Sequence, residues 1–288
     1  MGLTKILKFR KRSEQNQRIA TAIVIGAIVI FCIVMGIYST AALFFTIAVF
    51  GGIEMSKMLD IIPSKIMRVI HIFISVLFFI ILEFYYVPIQ VFIMAITLNC
   101  LFLSYLVFDL IGFNLRINYN SLKFSINGIY WSLPLALMAH YTLHINEKAN
   151  LYIFGMIILL WTSDSMAYFT GRKYGKHKLL PSVSPGKTIE GSIGGGIFTI
   201  IVAIIYAVII NEFYLKWLII GAIVWIAGTT GDLIESKMKR SQGIKDSGTI
   251  LPGHGGFLDR FDSLVVVIPF VLIILLIFEY YFPNQPFL

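Results

Sequence analysis

The sequence predicts an all-α, polytopic transmembrane protein. Three observations carry that expectation. Of its 288 residues, 58% are hydrophobic and 13% are charged, where a soluble domain carries about 25% charged residues. The mean hydropathy is +0.86, too apolar for a water-facing surface. And the apolar residues fall into long runs, whereas roughly 20 apolar residues suffice for a helix to cross the hydrocarbon.

Nine such runs stand out: 19–37, 40–58, 66–84, 87–108, 126–143, 150–170, 189–210, 216–234 and 263–282. The first two are separated only by the turn-like Gly36-Ile37-Tyr38-Ser39-Thr40, and Pro134 interrupts the fifth. Cytoplasmic loops collect Lys and Arg. With the N-terminus inside and nine spans, every Lys and Arg except Lys148 and Lys216 falls in an inside segment. The basic stretch 5–18 followed by an apolar run resembles a secretory signal. A second span follows it directly, so a retained first helix is expected. The net charge of +8 is thereby read as a topology signal and not as a nucleic-acid footprint. Cys32 and Cys100 lie inside apolar runs without metal-ligand spacing and are read as packing residues. Residues 1–145 form a scaffold half, and 146–288 hold the chemistry.

The chemical candidates begin at the end of the eighth run. Asp232, Ser236, Lys239 and Arg240 stand at i, i+4, i+7 and i+8, on one face of a helix continuing past the membrane. A glycine-rich loop follows, from Gln242 to Gly256, carrying Lys245, Asp246, His254, Gly255 and Gly256. Such loops let the backbone approach a ligand and cradle phosphate oxygens. Asp259 and Asp262 then open the ninth helix at i and i+3, with Arg260 between them. Clustered carboxylates repel one another unless a cation lies between them, and Mg²⁺ prefers carboxylate and phosphate oxygens. Asp232, Asp259 and Asp262 are the expected metal ligands; Asp246 either joins them or orients Lys245.

A second cluster lies upstream. Asp164, Tyr168 and Arg172 share a face at the end of the sixth run, and an acid inside a span is a functional candidate by default. Ser184, Lys187, Thr188 and Glu190 follow in a basic, hydroxyl-bearing loop that suits phosphate at a helix start. The same residues also fit an N-terminal capping box. Gly186-Lys187-Thr188 is not a P-loop, because Pro181 stands where the first glycine belongs. His71 and His140 are expected to pack without ligand partners, His144 and His177 to lie in loops, and Glu54, Asp60 and Glu83 to carry no chemistry. These residues by themselves reach as far as metal-assisted phosphoryl chemistry at the cytoplasmic face.

Ser236-x-Met238-Lys239-Arg240, Lys245-Asp246-x-Gly248, Leu251-Pro252-x-His254-Gly255-Gly256-Phe257 and Asp259-Arg260-Phe261-Asp262 together resemble the signature of the phosphatidate cytidylyltransferases. Asp164 through Gly171 and Ser184-Pro185-x-Lys187-Thr188-x-Glu190-Gly191 are similar to the same family. The resemblance implies transfer of CMP from CTP to phosphatidic acid, giving CDP-diacylglycerol and pyrophosphate. It implies one or two Mg²⁺ ions, with room for an additional monovalent cation. It also implies a homodimer in the inner membrane with its active site facing the cytoplasm, and no nucleic-acid partner. On it, Asp232, Asp259, Asp262, Lys245, His254 and Arg260 take catalytic roles. Asp164, Ser184, Lys187, Thr188, Glu190, Ser236, Lys239, Arg240, Gly255 and Gly256 bind substrate. The rival readings are a CTP-dependent polyprenol or lipid kinase and a secondary transporter. The latter sets its charges near the midplane between inverted repeats, where this chain groups them at one face.

Overall fold

The computed structural model describes residues 2–59, 65–84, 87–112, 117–248 and 255–282. Among them run nine helical segments: α1 (Gly2–Met35), α2 (Ile37–Leu59), α3 (Lys65–Phe84), α4 (Ile89–Leu110), α5 (123–145), α6 (Ala149–Tyr174), α7 (Ile189–Ile209), α8 (Tyr214–Ser241) and α9 (Asp262–Tyr281). Each takes up one of the nine apolar runs. Six of them, α2, α4, α6, α7, α8 and α9, are long and apolar enough to cross a membrane. This makes the chain an integral membrane protein. Its outer faces agree: Ile93, Leu98 and Leu101 of α4 and Ile197, Ile201 and Ile205 of α7 are exposed. Contiguous exposed apolar surface of that kind marks a lipid-facing wall.

The α1–α2 break is a single residue. Gly36 has φ +124°, a conformation costly for any residue with a Cβ, and the Ser39 and Thr40 hydroxyls donate back to the Gly36 carbonyl at 2.8 and 2.9 Å. The fifth segment is irregular. Two wide π turns, Ile126–Ser132 and Tyr141–Ile145, flank the regular stretch Leu133–His140. Pro134 brings no N–H to the ladder there. Protein surrounds α5: Tyr130, Trp131, Leu135, Leu137 and Met138 are all fully buried.

Side-chain contacts sort the helices into two ends. At the far end, Glu83 of α3 meets His144 of α5 (3.2 Å), and Lys148 before α6 meets Glu212 after α7 (2.8 Å). Tyr141 of α5 donates to Glu279 of α9 there as well. Both Lys148 and Lys216 belong to this end, Lys216 pairing with Glu212 at 2.5 Å. His140, expected to pack without ligand partners, has its ring 4.8 Å from that of His144. At the other end, Asp109 of α4 meets Lys237 of α8 (2.7 Å), and Glu54 of α2 meets Ser247. Successive helices therefore alternate in direction.

One expectation is corrected. The segment around Ser184–Thr188, read as a loop in an all-α chain, is the second strand of a small antiparallel hairpin, β1 (Lys178–Leu180) with β2 (Ser184–Thr188). The strands pair Lys178 with Thr188 and Leu180 with Ser184. The turn between them closes through Val183 N–H to the Leu180 carbonyl (3.2 Å), and Val183 is buried. Thr188 ends the strand and caps α7: its backbone is extended and its hydroxyl accepts from Gly191 N–H at 3.1 Å. Such a cap contributes about 1 kcal/mol.

Gly155 of α6 sits where a Cβ would run into the rings of Trp217 and Tyr206, which pack edge to face at 4.7 Å. Gly155→Val is expected to overpack this contact and cost about 1–3 kcal/mol. Thermal unfolding of the detergent-solubilised variant should show a lower midpoint; an unchanged one would contradict this close packing.

Candidate active site

The site is built on the end of α8. Asp232 and Ser236 share a face there, their side chains 3.4 Å apart. Lys239 lies one turn beyond Glu235 and pairs with it at 2.5 Å. The same ammonium reaches Asp259 at 2.6 Å. Arg240 leaves this face, contrary to expectation. One residue further turns about 100° round a helix, and its guanidinium donates to the Ile244 carbonyl at 3.0 Å. The chain reverses just there, with Gly243 at φ +70°.

The entry to α9 supplies the facing wall. Leu258–Arg260 form a single 3₁₀ turn. Asp259 on it accepts from the backbone N–H of Ser247 (3.2 Å) and of Gly256 (2.9 Å) with one oxygen and from Lys239 with the other. Burial would raise this carboxyl. The hydrogen bonding from Glu235 and Lys239, the Lys239 charge and the Gly256 amide together hold it below the usual carboxylate range. Asp262, the first residue of α9, is buried and accepts from Ser263 N–H at 2.7 Å.

Oxygens of Asp232, Glu235 and Asp262 all lie within 4.8 Å of one another. That is the grouping one hard cation can hold, and an all-carboxylate set suits Mg²⁺ better than a softer metal. Of the four expected ligands, Asp232 and Asp262 belong to this group. The oxygens of Asp259 are taken by Lys239 and two amides, and Asp246 stands apart on the cavity wall. Glu235 completes the trio and was not among the candidates. Its spacing of i, i+3 from Asp232 was the available signal.

Asp232 and Asp262 of the trio line a cavity of about 670 Å³, and Glu235 is buried off its wall. Asp164, Tyr168 and Arg172 of α6 line it, with Lys187 and Thr188 of the hairpin, and Asp232 and Lys239 of α8. Asp246, Asp259, Arg260 and Asp262 close the remaining side. Lys187 reaches across to form an ion pair with Asp232. The hairpin therefore brings a cation to the acid cluster, and the two motif groups, far apart in sequence, form one chamber.

Other candidates lie off the wall. Ser184, Ser236, Lys245, Gly255 and Gly256 do not line the cavity. Glu190 is turned away: it accepts from Lys176 N–H (3.0 Å) and His177 N–H (3.2 Å) and pairs with the His177 ring at 2.6 Å. It pins the entry to the hairpin. Gly255, at φ +80°, lets the loop fold back over Asp246 and Asp259. His254 and the rest of 249–254 lie outside the described residues.

Glu54, given no chemistry from sequence, is fully buried beneath this loop. One of its oxygens accepts from the Ser247 hydroxyl (3.2 Å) and from Leu258 N–H (2.8 Å). Ser247 also donates its backbone N–H to Asp259, and Leu258 precedes Asp259 in the turn. A carboxylate from the scaffold half thus ties both flanks of the loop that sets Asp259. A lone Glu near a span end offers no sequence signal of this, because its partners lie 193 and 204 residues away.

The cytidylyltransferase family model matches residues 16–278 of this chain. The chain belongs to the cytidylyltransferase family. Among curated proteins it resembles the phosphatidate cytidylyltransferase of Bacillus subtilis (strain 168), at 40% identity over 153 residues, covering 51% of this chain and 57% of that protein. It also resembles proteins of that name from Staphylococcus saprophyticus and Staphylococcus haemolyticus, at 47% and 49% identity over 127 residues, covering 43% of this chain and 49% of each relative. The chain thus spans about half the length of the curated relatives it matches. Both faces of the chamber in this cytidylyltransferase-family chain fall inside the matched range.

Two outcomes follow from these contacts. Glu54→Leu should cost about 1–3 kcal/mol by leaving the Leu258 N–H and the Ser247 hydroxyl unpaired. Faster amide exchange at Leu258 should accompany the loss, while Glu54→Gln, which keeps an acceptor oxygen, should largely restore protection. Equal exchange in all three proteins would remove Glu54 from this role. The depressed Asp259 carboxyl contributes stability that is complete above the ordinary value of about 3.9 and lost as pH falls through the lower folded value. Asp259→Asn should therefore flatten the acid limb of a stability–pH curve below about pH 4. An unaltered limb would contradict the assignment.

Proposed function

We propose that this chain transfers CMP from CTP to phosphatidic acid, releasing pyrophosphate and yielding CDP-diacylglycerol, in a Mg²⁺-dependent reaction. The observation that carries the reading is the convergence of Asp232, Glu235 and Asp262 beside a chamber that Asp232 and Asp262 line together with Lys187, Arg172 and Arg260. Acids for a divalent cation and bases for phosphates then share one space. Its volume of about 670 Å³ lies within the ordinary range of small-molecule pockets, about 300–1,000 Å³. The names of the relatives supply the nucleotide base and the lipid.

A bound Mg²⁺ would supply Lewis-acid neutralisation at phosphate oxygens. Asp232, Glu235 and Asp262 are the residues that would hold it. Asp259 keeps Lys239 and the turn before α9 in place. Lys187, paired with Asp232 in this structure, and Arg260 offset charge on the triphosphate. A phosphatidate oxygen forms the new bond to the α-phosphorus, and the bond from that phosphorus to the bridging oxygen breaks, the electron pair leaving with pyrophosphate. The attacking phosphate is already anionic, so no strong general base is needed. Catalysis then rests on positioning and charge stabilisation.

The reading extends to topology. All nine helices cross the membrane, with the N-terminus and the cavity on the cytoplasmic side. Support comes from the alternation of helix ends and, among the described residues, from the basic residues around the cavity, with Lys148 and Lys216 at the far end. The expected homodimer and inner-membrane location belong to the same proposal and rest on the family resemblance.

Purified protein incubated with α-phosphate-labelled CTP, Mg²⁺ and phosphatidic acid should move label into the organic phase with release of pyrophosphate. Label retained in free CDP, beside a newly phosphorylated lipid, would identify a kinase and overturn the proposal. Asp262→Asn should lower turnover by on the order of 10²-fold or more, with helicity and membrane insertion retained.

A further inference from the structure

The end of the bundle away from the cavity holds a second convergence of ligand-bearing side chains. Glu83 closes α3, and His140 and His144 stand at i and i+4 in the last turns of α5. One donor atom from each lies within 4.8 Å of the others. We propose that these three residues bind a borderline transition-metal cation, zinc foremost.

The donor set is the first argument. Two imidazoles and a carboxylate suit Zn²⁺, whereas Mg²⁺ and Ca²⁺ prefer oxygen throughout. Helical i, i+4 spacing places both rings on one side of the segment, and their centroids are 4.8 Å apart.

The local hydrogen bonds are the second. His140 Nδ1 lies 2.8 Å from the Leu82 carbonyl. A carbonyl only accepts, so that nitrogen carries the proton and Nε2 keeps its lone pair. A ligating histidine is ordinarily oriented this way, by a backbone carbonyl on its other nitrogen. The ring is buried, with Phe92 against it at 5.2 Å. Glu83 Oε2 and His144 Nε2 are 3.2 Å apart. Tetrahedral zinc with ligands at about 2.0–2.1 Å sets neighbouring donors about 3.3 Å apart, so this pair already has the required spacing. The other oxygen of Glu83 is shut from solvent and accepts no hydrogen bond, a costly state for a carboxylate that a bound cation relieves.

The site is open on one side. The His144 side chain is 45% exposed, which gives the ion a route in. Three protein ligands leave a fourth position for water. Occupied, the site would staple α3 to α5 at the membrane surface opposite the acid cluster, which makes it independent of the phosphoryl chemistry proposed above.

The test is a zinc titration of tag-free purified protein by calorimetry, in buffer with excess Mg²⁺ to mask the carboxylate trio. Wild type should bind a single Zn²⁺ per chain, and Co²⁺ in its place should give the visible absorption of a tetrahedral nitrogen–oxygen site. His144→Ala and Glu83→Gln should each weaken binding by about tenfold or more. Asp232→Asn should leave it unchanged, which separates this site from the cavity. His144 is exposed, so its variant should fold; if circular dichroism shows that it does not, Glu83→Gln decides. No binding by wild type at micromolar zinc, or wild-type affinity in a folded variant, overturns the proposal.

Discussion

A cluster of carboxylates at the ends of two apolar helices is the constraint to which the rest of the molecule answers. Asp232, Glu235 and Asp262 approach one another where α8 and α9 meet, and Glu235 is fully buried. Removing a carboxylate from water costs several kcal/mol unless positive charge compensates it. The chain provides that charge from two directions. Lys239 comes from the same helix as Glu235 and bridges to Asp259; Lys187 comes from the hairpin and pairs with Asp232. The hairpin, its cap on α7 and the Glu190 tether that fixes its entry all serve to hold one ammonium over one acid. This need explains why a short piece of sheet interrupts an otherwise helical chain.

The same constraint reaches into the N-terminal half. Around the turn carrying Asp259, four backbone or hydroxyl donors need acceptors. Asp259 takes two amides, and Glu54 takes the Leu258 amide and the Ser247 hydroxyl. At the neighbouring corner, Tyr119 and Lys237 both reach Asp109 at 2.7 Å, and burial together with that carboxylate pushes the Tyr119 hydroxyl well up. Helices of the N-terminal half thus contribute acids that lock loop and helix ends of the C-terminal half.

Hydropathy made the helices legible: each of the nine apolar runs became a helix, because lipid permits few other solutions for backbone hydrogen bonds. The motif residues Asp232, Asp262, Lys187 and Asp164 were also legible as members of one site, through short spacings and the family resemblance. The remainder depended on distance in the chain. Glu54 draws its meaning from partners far along the chain, and the His140–His144 spacing says nothing until Glu83 of another helix is set beside it. Arg240 was misplaced because one residue beyond Lys239 turns about 100° round the helix, which carries its guanidinium to the Ile244 carbonyl. Glu190 was misplaced because a capping position and a tether to the preceding strand need the same acid. The hairpin was missed because Ser184-Pro185-Gly186 reads as a loop until Leu180 is set opposite it.

The Glu54 contact bears on how such a chain can be divided or diversified. Severing it near residue 145 would leave one fragment with a buried acid and nothing to hold, and the other with the Asp259 turn and no anchor. Exchange of N-terminal segments between relatives would succeed only where the incoming helix brings an acceptor to that depth. The apolar half is therefore part of the same structural unit as the acid cluster and not an interchangeable membrane tether.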